Sequence, residues 1–460
     1  MIASLTLHDV AQVTGGSVVG DAQLAFDRVG TDTRKLSSGS LFIALAGENF
    51  DGHDFLSTAK EAGAIASVVA HSEGVLPEVV VDDTQLALGQ IAGLNRGNFN
   101  GGLVGLTGSS GKTSTKEMVA AILAEAGSVY ATRGNLNNEI GVPLSLLELD
   151  SQHQFAVIEM GAAKAGDIAY LCQFVKPKVA ILTNAQPAHI AGFGSLDGVA
   201  STKGEIFTAL EAGGVAVINA DDQYAALWQN MASHCSQKLF SIEKTADVWA
   251  SEITPKANGG SEFLLHTEQG DRFVSLPLSG KHMVANALAA TAAAMAVGAN
   301  LDHVVTGLAS LKSVSGRLYR QTISGVTLID DSYNANPGSV KAAIDVLATS
   351  VGRKVLVLGA MAELGADAQA MHVDVAKYAS EAGIDLLLVC GAYAELMAAA
   401  FDKSAERAVA FVDKAELTQD LIKQTKENDT ILIKGSRSSA MDRVVNEIEA
   451  SLKARSGGVN

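Results

Sequence analysis

The run Thr107-Gly-Ser-Ser-Gly-Lys-Thr113 limits the fold more than any other part of the chain, because it joins a short apolar strand to an amphipathic helix. Leu103 to Leu106 reads as the strand, and Met118, Val119, Ile122 and Leu123 recur at helical spacing. A glycine-rich turn in that position aims several backbone N–H groups, plus the positive end of the helix dipole, at one point. Lys112 adds a mobile cation for phosphate oxygens, and the Thr113 hydroxyl can ligate magnesium. Thr107, Gly108, Ser109, Ser110, Gly111, Lys112 and Thr113 therefore form the expected nucleotide-phosphate site. The loop departs from the common pattern, which wants a glycine where this chain has Leu106; its glycines fall at 105 and 108 instead. A glycine-serine turn with an incidental lysine is the alternative, and the flanking strand and helix argue against it.

At 460 residues the chain predicts about three domains. Hydrophobic content of 48% against 18% charged residues supports large buried cores and excludes a disordered chain. The formal net charge of −16, with no Lys/Arg run, excludes nucleic acid as a partner, so anionic ligands must be held by local groups. Cys172, Cys235 and Cys390 are far apart and show neither metal spacing nor a disulfide framework, which fits a reducing compartment. The N-terminus lacks the basic start and apolar core of a secretory signal. Met283 to Leu301 carries no charge, but its alanines and its Asn286, Thr291, Gly298 and Asn300 read as a buried helix and not a membrane span. The expectation is a soluble cytoplasmic protein.

Along the chain, residues 1–83 alternate short strands with Gly/Asp/Ser turns, with strand candidates at Leu41–Ala46 and Val79–Asp82. This predicts a small α/β domain. Residues 84–313 repeat strand-then-helix units: Phe155–Glu159, Val179–Thr183 and Val215–Asn219 read as buried parallel strands. Ala246 to Leu278 is more polar and suggests antiparallel strands, and the alanine-rich helix closes this central domain. Residues 314–460 place strands at Val326–Asp330, Lys354–Gly359, Asp385–Cys390, Ala408–Val412 and Thr430–Lys434 between helical segments, a Rossmann-like layer pattern. The expected class is α/β in three domains.

Glu159 ends a buried strand where it could hold magnesium against nucleotide phosphates; a solvated strand end is the plainer account. His189, in Thr183-Asn-Ala-Gln-Pro-Ala-His-Ile-Ala-Gly-Phe193, is a possible metal ligand, although a lone histidine is more often structural. Lys203 reads, on spacing alone, as a surface lysine at a helix start. Asn135-Leu-Asn-Asn138 is a polar turn before a helix with Pro143 near its first turn, which capping explains. Asp330-Asp331-Ser-Tyr-Asn-Ala-Asn-Pro337 is denser in polar groups than a turn requires.

These motifs, in this order, resemble the ATP-dependent Mur ligases of peptidoglycan synthesis. The resemblance covers nearly the whole chain: TDTRKLSSGSLFIALAGENFDGHDF (31–55), TGSSGKTSTKEM (107–118), GNLNNEIGVP (134–143), LTNAQPAHIAGFGSL (182–196), KGEIF (203–207), NALAA (286–290), SGRL (315–318), DDSYNANPGSVKAAIDVL (330–347), MAELG (361–365) and KGSRSSAMDRVV (434–445). The pairing of YNANP with TNAQPAHIAGFGS resembles one branch, which joins D-alanyl-D-alanine to the terminal carboxylate of UDP-N-acetylmuramoyl-tripeptide through an acyl phosphate. Such a step serves cell-wall biogenesis, cell shape and cell division.

The resemblance implies ATP as co-substrate, two magnesium ions and a monomer. It makes Lys203 a carbamate that ligates the second metal, and it makes Glu159, His189 and Thr113 metal ligands, with Lys112, Lys203 and His189 catalytic. Asn286, Arg317 and Asp331 match ATP-holding positions. Thr33, Arg34, Gly47, Asp51, Gly52 and His53 belong to a uridine-diphosphate platform, and Asn135 and Asn138 to the nucleotide-sugar contact. Asn334, Asn336, Lys434, Ser436 and Arg437 would face the dipeptide. An open-to-closed domain motion is implied, with a hinge near Val314 to Arg317. Two departures stand out: Ala360 replaces the aspartate of the usual Gly-Asp-Met-Ala-Glu-Leu-Gly, leaving its role to another group such as Glu363, and Met283 follows His282 where relatives have asparagine. The rival readings are a sister ligase adding an amino acid (a tripeptide-forming Mur ligase or a folylpolyglutamate synthase) and a non-catalytic nucleotide switch. YNANP and the uridine platform argue against the sister ligases, and a switch would need no second metal-ligand set.

Overall fold

Apolar, β-branched runs with no polar alternation belong where both faces of a sheet are covered, and they fix the centre of two of the sheets. The computed structural model describes residues 1–47, 49–256, 259–312, 314–402 and 407–457. The boundary expected at 313 falls on Ser313, outside the described residues.

In the N-terminal region a five-stranded sheet runs Ser17–Val19, Glu78–Val80, Ala64–Val69, Ser40–Ile43, Arg28–Gly30, parallel except at its first pair. The strand expected to reach Ala46 stops at Ile43 because the chain folds back. Gly52 N donates to Leu45 O at 2.8 Å, and Ala46 bridges Asp51. A Cβ on Gly52 would lie 2.7 Å from Leu45 N and O, so only glycine permits this return. Asp83 accepts from Gln85 N and Leu86 N at 2.8 and 2.9 Å and caps the helix Thr84–Gly97.

The central sheet has nine strands in the order Gly270–Leu276, Ser261–Thr267, Val248–Pro255, Ser236–Ser241, Val215–Asn219, Val179–Leu182, Gly102–Thr107, Phe155–Glu159, Val129–Ala131. Seven are parallel, and the two from 261 to 276 extend the sheet antiparallel. The expected antiparallel stretch is thus present, except that Val248–Pro255 pairs in parallel with Ser236–Ser241. Strands Phe155–Glu159 and Val179–Leu182 flank Gly102–Thr107, in a register that sets Glu159 beside Leu106 and Leu182 beside Thr107. Their carboxyl ends therefore converge on the phosphate loop.

In the C-terminal region the order is Tyr319–Ile323, Val326–Asp331, Thr430–Lys434, Lys354–Leu358, Leu386–Cys390, Ala408–Phe411, parallel except for the first pair. All five expected strands are there; Tyr319–Ile323 is an addition. The alanine-rich segment is the helix Lys281–Ala296, with Ala287 to Ala290 buried, and no described helix is long and apolar enough to cross a membrane. Apolar packing ignores the sequence divisions. One buried cluster joins Leu41 and Ile43 to Ile158 and Ile206, and another joins Met283 and Leu288 to Val340 and Ile344.

Candidate functional site

Two backbone conformations build the phosphate loop. Gly108 has φ +151° and Gly111 φ +81°, and a Cβ at these positions would lie 1.9 Å from Thr183 Oγ1 and 2.6 Å from Asn286 Oδ1. The next residues open the helix Lys112–Ala124, whose first N–H groups have no intrahelical acceptor and point to where an anion is stabilised. Two of the loop amides are paired within the protein. Ser109 N donates to Asn184 O and Ser110 N to Asn184 Oδ1, both at 3.0 Å, while Thr183 Oγ1 donates to Ser110 O at 2.6 Å. The segment after Val179–Leu182 thus braces the loop. Lys112 Nζ donates to Gly108 O at 2.7 Å, and burial pulls its pKa down against the attraction of Glu159.

Glu159 is 2% exposed, so it is not a solvated strand end. Its Oε2 accepts from Thr113 Oγ1 at 3.0 Å and its Oε1 from Asn137 Nδ2 at 2.8 Å. A carboxylate and a hydroxyl at a phosphate loop form the hard-oxygen donor set that magnesium takes, with water and phosphate completing the shell. The residues fit that ion. Among the described residues no three His, Cys, Asp or Glu side chains gather into a ready cage. Asn137 was missed by the sequence reading. Of the two asparagines chosen, Asn138 accepts from Gly141 N (2.9 Å) at the start of the following helix and lines the cavity, while Asn135 is exposed and not among its lining residues.

Lys203 is 1% exposed, which overturns the surface reading made from spacing alone. It lies on the inner face of the helix Leu196–Thr208, among the buried Val199, Ile206 and Phe207, with Nζ 5.5 Å from the Phe193 ring centroid. Burial, then the field of Lys112, holds its pKa well below the ordinary lysine value. The shift favours the free amine, which is the form nucleophilic toward carbon dioxide. His189 has φ +54° and pairs through Nδ1 with Glu363 of the C-terminal region. Burial lowers its pKa, and Glu363 opposes the shift.

The facing wall comes from the C-terminal sheet. Asp331 and Lys434 form a buried ion pair (2.6 Å), and Lys434 Nζ also donates to Asn334 O at 2.9 Å. Burial pushes the Asp331 carboxyl up, and Lys434 opposes it. Breaking a buried pair of this kind costs about 3–5 kcal/mol. Lys434, expected to meet a dipeptide, thus also holds the end of its own sheet together. Asn336 accepts from Ser339 N at 2.8 Å as a helix cap, and Ser436 donates to Ala360 O at 2.7 Å. Asn336 lines the cavity; Ser436 is not among its lining residues. The Arg317 and Arg437 guanidiniums lie 4.2 and 5.9 Å from the Tyr333 ring centroid. Where the aspartate was expected, the Ala360 carbonyl accepts from both N and Oγ of Ser436, contacts that need no carboxylate. His372 Nε2 accepts from Met361 N at 2.9 Å and fixes the loop from which Glu363 reaches His189.

Both walls enclose one cavity of 410 Å³, lined by Lys112, Thr113, Glu159, His189, Asn286, Arg317, Asp331 and Asn334 among others. Gly316, at the expected hinge, has φ +78° and donates to Asp330 Oδ2 at 2.8 Å. The platform residues lie elsewhere, in the N-terminal region. Asp51 Oδ1 sits 2.6 Å from His53 Nδ1, and Ala70 N donates to His53 Nε2 at 2.9 Å, so His53 carries its proton on Nδ1. Thr33 and Arg34 begin a short 3-10 turn capped by Asp32, which pairs with Arg34 at 2.8 and 2.9 Å. Gly47 N donates to Phe50 O at 2.9 Å.

His282 on the cavity wall makes a pH-dependent contribution. Burial, aided by Lys434, lowers its pKa from 6.5 to about 4. The unfolded chain therefore takes up a proton that the folded chain refuses until about pH 4. Stability is complete above about pH 6.5 and declines as the pH falls toward 4, by at most about 3 kcal/mol. Urea unfolding of the wild type and His282→Gln between pH 7.5 and 4.5 should show a shallower pH slope in the variant; equal slopes would refute this.

Three family models match the chain: one described as Mur ligase family, catalytic domain, over residues 26–93, one as Mur ligase middle domain over 106–294, and one as Mur ligase, glutamate ligase domain, over 316–437. The UDP-N-acetylmuramoyl-tripeptide–D-alanyl-D-alanine ligase of Escherichia coli K12 is 45% identical over 453 residues, 97% of this chain and 98% of its own. A crystal structure of MurF from Acinetobacter baumannii superposes with a TM-score of 0.92 at 36% identity, covering 97% of this chain and 99% of that one. MurF from Thermotoga maritima, solved in complex with ADP, gives 0.84 at 29% identity over 93% and 98% of the two chains.

Proposed function

The chain belongs to the Mur ligase family, and from that premise we propose that it joins D-alanyl-D-alanine to UDP-N-acetylmuramoyl-tripeptide with ATP, in the cytoplasm, as a monomer. The observation that carries the reading is the shared cavity, with a phosphate loop on one wall and the Asp331–Asn336 turn on the other. Full-length similarity to ligases named for this reaction supports the choice of substrates. Since both walls come from one chain, a single copy suffices.

The tripeptide carboxylate attacks the γ-phosphorus of ATP, the bond to the β–γ bridging oxygen breaks, and ADP leaves. The amine of D-alanyl-D-alanine then adds to the acyl carbon, the bond to the phosphate oxygen breaks, and phosphate departs as the amine loses its proton. Lys112 and the helix N–H groups hold negative charge on the transferring phosphoryl group. Thr113 and Glu159 would hold magnesium, which neutralises charge between ATP and the attacking carboxylate when bound. Lys203 acts as a carbamate and His189 faces the same charge. Asn286, Arg317 and Asp331 orient the nucleotide between the domains; Asn334, Lys434 and Arg437 shape the dipeptide side. The docked walls exclude water that would hydrolyse an acyl phosphate. The N-terminal platform, with Thr33, Arg34, Gly47, Asp51, Gly52 and His53, takes the uridine diphosphate, and Asn135 and Asn138 approach its sugar.

Phosphate release should require ATP, magnesium, UDP-N-acetylmuramoyl-tripeptide and D-alanyl-D-alanine together, with the pentapeptide product found by mass. Release with diaminopimelate, lysine or glutamate in place of the dipeptide would make this a sister ligase. Release with neither substrate would indicate a nucleotide switch.

A further inference from the structure

Asn336 joins the C-terminal domain to the phosphate loop. Its side chain uses its two ends differently. Oδ1 caps the helix Pro337–Ala348 by accepting from Ser339 N, whereas Nδ2 donates to Ser110 Oγ at 2.9 Å, across 226 residues of sequence. The Ser110 hydroxyl passes the contact on by donating to Gln186 Oε1 at 2.9 Å. Gln186 is tied to the other loop serine in both directions: its N donates to Ser109 Oγ at 2.9 Å, and Ser109 Oγ donates to its carbonyl at 3.0 Å. A Cβ on Gly338 would lie 2.5 Å from Gln186 Oε1, so the helix that Asn336 caps is pressed against that same amide. Asn336, Ser110 and Gln186 all line the cavity.

The two segments that distinguish the chain in sequence, TNAQP and YNANP, therefore meet through one hydroxyl of the phosphate loop. Ser110 Oγ has one proton, which it gives to Gln186, and Asn336 fills its acceptor side. If the C-terminal domain moves away, the loop serine loses its only partner from that domain among these contacts. We infer that Asn336 is a positioning residue that sets the phosphate loop through Ser110 and Gln186 when the C-terminal domain docks, tying phosphoryl transfer to domain closure. This rests on the ligase reading above. It assigns the Asn336 amide to the loop and not to the dipeptide.

Two substitutions separate this role from helix capping. Asn336→Ser keeps an oxygen for the cap but is too short to reach Ser110, and Asn336→Asp keeps the size and the cap but has no N–H to give. Both should lower kcat by roughly 10–100-fold, the scale expected when reacting groups are misplaced by about an ångström, and by a larger factor than they weaken ATP binding measured without the other substrates. Ser110→Ala should lose a similar factor, and the double variant Asn336→Ser/Ser110→Ala should lose no more than the worse single one. Wild-type kcat in Asn336→Ser, or losses that multiply in the double variant, would overturn the proposal. Hydrogen exchange of the 107–113 amides in the nucleotide-free full chain reads the same coupling without turnover. Exchange should be faster in Asn336→Ser than in the wild type, and equal rates would overturn the proposal. A wild type that fails to ligate D-alanyl-D-alanine would sink the ligase reading alone, leaving the exchange result to decide this one.

Discussion

Lys203→Ala should lower kcat for ligation by on the order of 10²–10³-fold, the loss typical when one preorganised charge at a reacting centre is removed. The argument starts from burial. A lysine 1% exposed has lost the water that would solvate an ammonium ion, and Lys112 adds a like charge nearby. Both effects favour the free amine, which can add carbon dioxide and release a proton to give a carbamate. That product would place an anion near Lys112, where an ammonium would be repelled. Acetate or propionate should restore part of the activity of Lys203→Ala, because a small acid can occupy the space of the lost carbamate. Carbon-13 NMR of the wild type in labelled bicarbonate should show a carbamate signal that the variant lacks. Full activity in Lys203→Ala, or a wild type without the signal, would refute the assignment.

Glu159→Gln should be comparably severe, with a loss of roughly 10²–10³-fold in kcat, and it isolates charge from shape. Glutamine has the size to keep an oxygen near Thr113 Oγ1, now 3.0 Å from the carboxylate. The fold should survive, because the buried side chain remains hydrogen-bonded. The negative charge opposite the phosphate loop is lost, so the magnesium concentration giving half-maximal activity should rise, and chelation by EDTA should abolish wild-type turnover. An unchanged magnesium requirement in Glu159→Gln would remove Glu159 from the metal site.

The parts of the site that were legible in the sequence are those whose chemistry is local. A glycine-rich turn between a strand and a helix needs no distant residue to declare itself, and the apolar runs ending at Glu159 and Thr183 identified the neighbouring strand ends. Lys203 was hidden by its residue type, although its spacing offered a clue: it lies four residues after Val199 and three and four before Ile206 and Phe207, on the buried face of its helix. Nothing local marks Asn137 over Asn135, since both belong to one polar turn, and the choice is made by where Glu159 arrives from another strand. The Asp331–Lys434 pair joins neighbouring strands 103 residues apart, a relation that sheet order creates and residue spacing does not reveal. The strands Val129–Ala131 and Tyr319–Ile323 were missed because three to five residues at a sheet edge carry too little apolar pattern to stand out.

Because the cavity takes one wall from each of two domains, its contents do more than fill space. If the two domains exchange between docked and separated states, a small molecule touching both Lys112 and Asp331 binds only the docked ones, and its apparent dissociation constant is the intrinsic one divided by the docked fraction. If one molecule in ten is docked, the affinity measured on free enzyme is roughly tenfold weaker than the contacts alone would give. An inhibitor screen run with nucleotide present would then rank compounds differently from one run without it. The same arithmetic makes resistance possible far from the cavity, through any substitution that shifts the docking equilibrium while leaving every contact with the inhibitor intact.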